Sequence, residues 1–195
     1  MQSETNLLFP VTVNADDVPA IPGLRYLPQY ITPAEESELT RLIDAQPWDT
    51  SWERRRQPYG AAYGKEAAGR PIPGWGLRLA ERMLREGLID RLFDNMLINE
   101  YLPGQGIALH RDYSPFDRTV ASLSLLSAYV MDFRHEKLGE KASLLLEPRS
   151  LLILSDEARY QWQHGIARRK HDLWQGVSFP RDRRLSVTFR LKKQK

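Results

Sequence analysis

The sequence predicts an α+β fold in which two N-terminal helices precede a sandwich or barrel of short strands. Three observations carry this. Helix signals are confined to the segments 32–46 and 77–86. From Met96 onward come nine short apolar or alternating runs. Turn dipeptides such as Pro103-Gly104, Ser114-Pro115 and Pro148-Arg149, and then Pro180-Arg181-Asp182, separate those runs at short intervals.

Taken in order, residues 1–20 read as a polar, loose leader with one short strand at Leu7–Val13, and residues 21–195 as a single domain. Leu24–Leu27 is a second short strand. Thr32-Pro33-Ala34-Glu35 then combines an N-cap hydroxyl, proline at the first helical position and a glutamate three residues after the cap. Leu39, Leu42 and Ile43 give that helix an apolar stripe, and Pro47 ends it near Gln46. From Trp48 to Pro73, aromatic and basic residues mix with glycine and proline, which suggests exposed loops and short strands forming a lid. Leu77–Glu86 is the second helix, with Gly87 as its C-cap. The nine strand candidates are Met96–Tyr101, Ile107–Asp112, Val120–Leu126, Ala128–Phe133, Ser143–Leu146, Ser150–Leu154, Ala158–Gln163, Gly176–Phe179 and Leu185–Arg190.

Composition narrows the function classes. The 195 residues are 42% hydrophobic and 27% charged, the balance of an ordinary globular protein. There is no cysteine, so disulfides, zinc fingers, iron–sulfur clusters and thiol nucleophiles are excluded. An intracellular, cytoplasmic location is the expectation. The N-terminus lacks the pattern of a signal peptide, and no apolar run approaches a membrane span, so no membrane partner is expected. The net charge is only +3, but Gly165–Lys195 holds ten Lys/Arg against two Asp, and Arg54-Arg55-Arg56 forms a second cluster. Such placement suits a polyanion, and also a solvated basic face.

Chemistry enters with His110-x-Asp112. Two positions apart on a strand, both side chains leave one face. A second histidine from downstream would complete a two-histidine, one-carboxylate set with three open coordination positions, the arrangement of non-haem Fe(II) oxygenases. HxD alone is common by chance. The chain has four histidines, His110, His135, His164 and His171. The third ligand is therefore His135, His164, His171 or an acid. Position favours His164, which ends the aromatic segment Tyr160–Gln163, whereas His171 lies among cations. In the last strand, Arg184, Ser186, Thr188 and Arg190 share one face, and Leu185, Val187 and Phe189 share the other. If solvated, the polar face is unremarkable. If interior, it is a cationic lining that needs an anion, and arginine suits a carboxylate. One arginine would then hold the far end of a small dicarboxylate, with the other nearer the metal. Asn99 and Tyr101, again two apart, would add neutral hydrogen bonds.

Asn99-x-Tyr101, Pro103-Gly104-Gln105-Gly106-Ile107, His110-x-Asp112, Trp162-x-His164-Gly165-Ile166 and Arg184-x-Ser186-x-Thr188-x-Arg190, in this order, resemble the AlkB family of Fe(II)/2-oxoglutarate dioxygenases. The resemblance spans roughly residues 26–190. Its motifs are closest to the oxygenase domain of the tRNA wobble-uridine hydroxylases. It implies a double-stranded β-helix (jelly-roll) core with N-terminal helices and a nucleotide-recognition lid. It also implies His110, Asp112 and His164 as iron ligands and catalytic centre. Arg184 would take the distal carboxylate of 2-oxoglutarate, with Asn99, Tyr101, Ser186 and Arg190 completing the cosubstrate site. Many family members have Asn where this chain has Ser186. The cofactors implied are Fe(II), 2-oxoglutarate and O2, with oxidation of a substrate C–H bond coupled to release of succinate and CO2. Hydroxylation of an N-methyl group would release formaldehyde, and hydroxylation of an ordinary carbon would leave an alcohol.

Nucleic acid is the expected partner and a monomer the expected state. The first expectation is oxidative demethylation of alkylated bases in DNA or RNA. The alternatives are hydroxylation of a modified tRNA wobble uridine, and a protein- or lipid-directed oxygenase. In the lid, about residues 48–73, Arg54, Arg55 and Arg56 would grip phosphate, and Tyr59 and Tyr63 would stack on a base, unless these aromatics pack beneath the loop. Repair members often carry a carboxylate two residues after the ligand aspartate, where this chain has Ser114.

Overall fold

The structure, a computed structural model, describes residues 12–61 and 69–193. The expected strand at Leu7–Val13 falls almost wholly outside this range, as does Tyr63. In chain order come β1 (Leu24–Leu27), α1 (Pro33–Asp44), β2 (Arg56–Gly60), α2 (Gly74–Arg85), β3 (Asn95–Tyr101), β4 (Ile107–His110), β5 (Phe116–Leu126) and β6 (Tyr129–His135). Then follow β7 (Lys141–Leu146), β8 (Leu151–Leu154), α3 (Asp156–Tyr160), β9 (Trp162–Ile166), β10 (His171–Trp174), β11 (Val177–Pro180) and β12 (Arg184–Lys192).

α1 begins as its sequence dictates. The Thr32 hydroxyl accepts from the Glu35 backbone N–H, and the Glu35 carboxylate accepts from the Thr32 backbone N–H. Leu39 and Ile43 are its buried stripe. α2 buries Trp75, Leu79 and Met83.

Two antiparallel sheets face each other. One has six strands in the order β1-β8-β5-β12-β3-β2, and the other has four in the order β4-β9-β6-β7. β10 and β11 form a separate hairpin. This is a double-stranded β-helix. β12 lies between β3 and β5, paired along most of its length with both. Its alternation therefore sorts side chains between two interiors. Leu185, Val187 and Phe189 join the helix-side core with Leu39, Ile43, Met83, Ile98 and Leu123. Each fully buried residue of this kind contributes about 1.5–3 kcal/mol. The opposite, polar face of β12 looks between the sheets.

Two expectations need correction, while in the segment 48–73 β2 is one of the expected short strands, paired in register with β3 at the edge of the six-stranded sheet. Ala158–Gln163 is not one strand: residues 156–160 form α3, and β9 begins at Trp162. β8 and β9 lie in different sheets, so the chain must cross between layers here, and one helical turn opened by Asp156 and Glu157 makes the crossing. Nor is the leader loose to residue 20. The Val13 N–H donates to Glu147 at 3.3 Å, and Val13 and Val18 pack on the core between the sheets. Among the described residues no helix is long and apolar enough to cross a membrane.

Candidate active site

β4 and β9 present the two histidines side by side. His110 and His164 are cross-strand partners, with ring centroids 4.6 Å apart. Gly165 permits this approach: a Cβ there would sit 2.9 Å from the Ile107 carbonyl oxygen and the Leu109 nitrogen. Asp112 lies just past the end of β4, buried, with Oδ2 3.6 Å from His164 Nε2. His110, Asp112 and His164 line one narrow cavity between the sheets. The two other histidines lie elsewhere. His135 is buried against Trp162 and hydrogen-bonded to Gln161, and His171 is exposed on β10.

Each ligand candidate is prepared for a cation. His110 Nδ1 lies 2.9 Å from the Ala108 carbonyl, which can only accept. Nδ1 is therefore the donor in this contact, which fixes the orientation of the ring. Burial pushes His164 down to about 4, which keeps its imidazole neutral. Burial alone would raise the Asp112 carboxyl. The charge of Arg190, with a smaller contribution from Arg159, outweighs burial and holds Asp112 well below the usual carboxylate range. Among the described residues, no three His, Asp or Glu side chains stand close enough, as they lie, to hold a metal ion without adjustment. Arg190 Nε engages Asp112 Oδ1 at 2.7 Å, leaving Oδ2 toward His164. Adjacent ligands of an octahedral ion at ~2.1 Å stand about 3 Å apart. The 3.6 Å separation exceeds that by a fraction of an ångström.

The same cavity is lined by Asn99 and Tyr101 from β3 and by Arg184, Ser186, Thr188 and Arg190 from β12. Arg184 is 1% exposed. Its Nη2 donates to Ser124 Oγ at 2.8 Å, and its guanidinium lies 5.3 Å from the Tyr101 ring centroid and 5.8 Å from that of Tyr129. Among the described residues no carboxylate pairs with Arg184, and its Nε has no partner. Burial lowers its pKa. A cation buried in this way calls for an anion. Between Arg184 and Arg190 runs a hydroxyl ladder, with Ser122 Oγ 3.0 Å from Ser186 Oγ and Ser186 Oγ 3.3 Å from Thr188 Oγ1. These residues fit a small dicarboxylate bound at one end by Arg184, with the other end at the histidines. Ser122 and Ser124 were legible as period-two polar positions on an apolar strand. Arg159 was not.

The lid residues divide. Arg54 donates to the Gly106 carbonyl and lies over Tyr101, at the cavity wall. Arg55 pairs with Glu100 and stacks on Trp48. Arg56 pairs with Asp49 and stacks on Trp52. Tyr59 must be corrected. It is 3% exposed in the helix-side core, and its hydroxyl is bonded to Gln57. It faces away from the cavity because β2 is a sheet strand, and alternation sends position 59 toward α2.

Residues 45–190 match the family model of the 2OG-Fe(II) oxygenase superfamily. An uncharacterised protein, L905, of Acanthamoeba polyphaga mimivirus is 34% identical over 176 residues, covering 86% of this chain and 84% of that protein. The tRNA (carboxymethyluridine(34)-5-O)-methyltransferase ALKBH8 of Mus musculus is 37% identical over 168 residues, covering 77% of this chain. This chain spans about a quarter of the length of that relative, 25%. The solved structure of OsALKBH1 superposes with a TM-score of 0.66 at 18% identity, covering 87% of this chain and 98% of that one, which is a likeness of fold. The chain belongs to the 2OG-Fe(II) oxygenase superfamily of dioxygenases, which use Fe(II), 2-oxoglutarate and O2, and it is similar to the AlkB homologue ALKBH8.

Proposed function

We propose that this chain oxidises a modified base within a nucleic acid, with iron held by His110, Asp112 and His164 and 2-oxoglutarate held by Arg184. One observation supports the site most directly. The buried, carboxylate-free Arg184 and the histidine–aspartate cluster line the same cavity. A ligand joining the two carries an anion at one end and a chelating group at the other.

Fe(II) with 2-oxoglutarate and O2 supplies oxidation of a C–H bond. The chain's own residues set the conditions. Arg184 fixes the far carboxylate through charge-assisted hydrogen bonds. Asn99, Tyr101 and Ser186 line the cosubstrate's path. Arg190 holds one oxygen of Asp112 and leaves the other for the metal. Ile107, Met131, Leu152 and Leu154 provide apolar walls that exclude water from the reacting centre.

Two base oxidations compete. Hydroxylation of a wobble-uridine substituent in tRNA draws on the likeness to a protein named for carboxymethyluridine(34) and on Ser114, which offers no carboxylate to a cationic base. Oxidative demethylation of an alkylated base draws on the family membership and the basic C-terminal stretch Gly165–Lys195. The test is incubation with methylated DNA and RNA oligonucleotides and with bulk tRNA, followed by nucleoside mass spectrometry, with formaldehyde and succinate measured in parallel. A tRNA nucleoside gaining one oxygen supports the first chemistry, and a lost methyl group with formaldehyde supports the second. Succinate release with every nucleoside unchanged rejects a nucleic-acid substrate.

A further inference from the structure

β4 ends at His110, so Asp112 sits in the connection to β5, where no strand ladder holds it. What does hold it comes from α3. Arg159 is 3% exposed, and its guanidinium spans this connection. Nη1 donates to the Asp112 carbonyl at 3.0 Å, and Nη2 to the Tyr113 carbonyl at 3.0 Å and the Phe116 carbonyl at 3.4 Å. The next residue continues the grip, because Arg111 Nη1 donates to the Tyr160 carbonyl at 2.8 Å. Among the described residues no ion pair joins Arg159 to a carboxylate, and its Nε has no partner. A buried guanidinium is costly unless its donors are used. Here they are used on the backbone around Asp112. Five residues further along the chain, β9 carries His164.

We propose that Arg159 is a positioning residue for the metal site, a strut that sets Asp112 relative to His164. The inference rests on the metal-ligand assignment above. Arg159 touches neither carboxylate oxygen. It acts through the main chain, so that the carboxylate is already aimed when a cation arrives. A planar fork bonded to three carbonyls defines an orientation that a lysine ammonium cannot. Arg190 and Arg159 thus divide the work, one holding the side chain of Asp112 and the other its backbone.

The test uses the full chain and two variants, Arg159→Gln and Arg159→Lys, with Co(II) as a redox-stable probe. Co(II) affinity is measured by titration, coordination by the visible spectrum, and folding by circular dichroism and melting. Folded Arg159→Gln should bind Co(II) about ten- to a hundredfold more weakly, the usual effect of removing an outer-shell partner. Its visible spectrum should change, and Arg159→Lys should fall between Gln and the parent. Apparent KM for 2-oxoglutarate at saturating metal should stay near that of the parent. Unchanged Co(II) affinity and spectrum in a folded variant overturn the proposal. Loss of folding in both variants also overturns it, since Arg159 would then be a general structural residue. If the parent chain itself binds no Co(II), or binds it equally well as Asp112→Ala, the ligand assignment fails instead.

Discussion

Arg184 and Arg190 lie on one strand and one face, six positions apart, both buried, yet their surroundings are opposite. Arg190 meets a carboxylate, at 2.7 Å from Asp112. Arg184 meets two aromatic rings and a serine hydroxyl. The difference teaches how one polar strand face serves two tasks. At the Asp112 end the arginine's charge is balanced inside the protein, so its effect is to hold a ligand still. At the other end the charge is left for something that arrives from outside. The free-energy consequences should therefore be opposite as well.

The largest expected effect comes from removing the carboxylate on which the comparison turns. Asp112→Ala deletes the anionic ligand and leaves Arg190 without its closest carboxylate. Turnover and the weak visible charge-transfer band of the anaerobic Fe(II)–2-oxoglutarate complex should both disappear, and retention of the band would refute the ligand assignment. Next come matched changes of the two arginines. Arg190→Met leaves Asp112 buried beside a neutral side chain and should cost about 3–5 kcal/mol in denaturant unfolding. Arg184→Met removes a cation with no carboxylate and should change stability by less than about 1 kcal/mol without ligand. The same variant should raise the 2-oxoglutarate KM on the order of a hundredfold, from loss of about 3 kcal/mol of charge-assisted hydrogen bonding. Equal stability losses for the two variants would break the comparison.

A smaller effect sharpens a second contrast, within the lid. Tyr59 is core and Trp52 is 57% exposed. Tyr59→Phe removes the bond to Gln57 and should cost about 1 kcal/mol with no change in nucleic-acid KM. Trp52→Ala should leave stability within about 0.5 kcal/mol, and any effect should appear in substrate binding. A KM change confined to Tyr59→Phe would reverse that assignment.

Much of the site was legible because it lies on regular strands. Period-two alternation on β12 separated Leu185, Val187 and Phe189 from Arg184, Ser186, Thr188 and Arg190 without coordinates. The helix start at Thr32 was equally plain, since capping is local chemistry. Legibility failed where the chain left regular structure. The five-residue helix α3 is too short to show a period, so Arg159 looked like a strand residue and its reach to Asp112 went unseen. Tyr59 failed for a related reason. The Gly- and Pro-bearing text of 48–73 allowed short strands but fixed neither their bounds nor their register, and pairing to β3 is what turns Tyr59 inward.

The sequence by itself determined the helix α1 and most of the strands from β3 onward, the two-faced character of β12, the spacing of His110 and Asp112, and a family resemblance strong enough to name the cofactors. Only the tertiary structure decided which interior each face of β12 enters, that Arg184 has no carboxylate beside it while Arg190 has one, and that α3 rather than a strand steadies Asp112. The physical reason is one of range. Capping, turns and alternation act between neighbours in the chain and are written there. Burial of a charge, and the partner that balances it, depend on residues tens of positions away, and become definite only when the sheets close on each other.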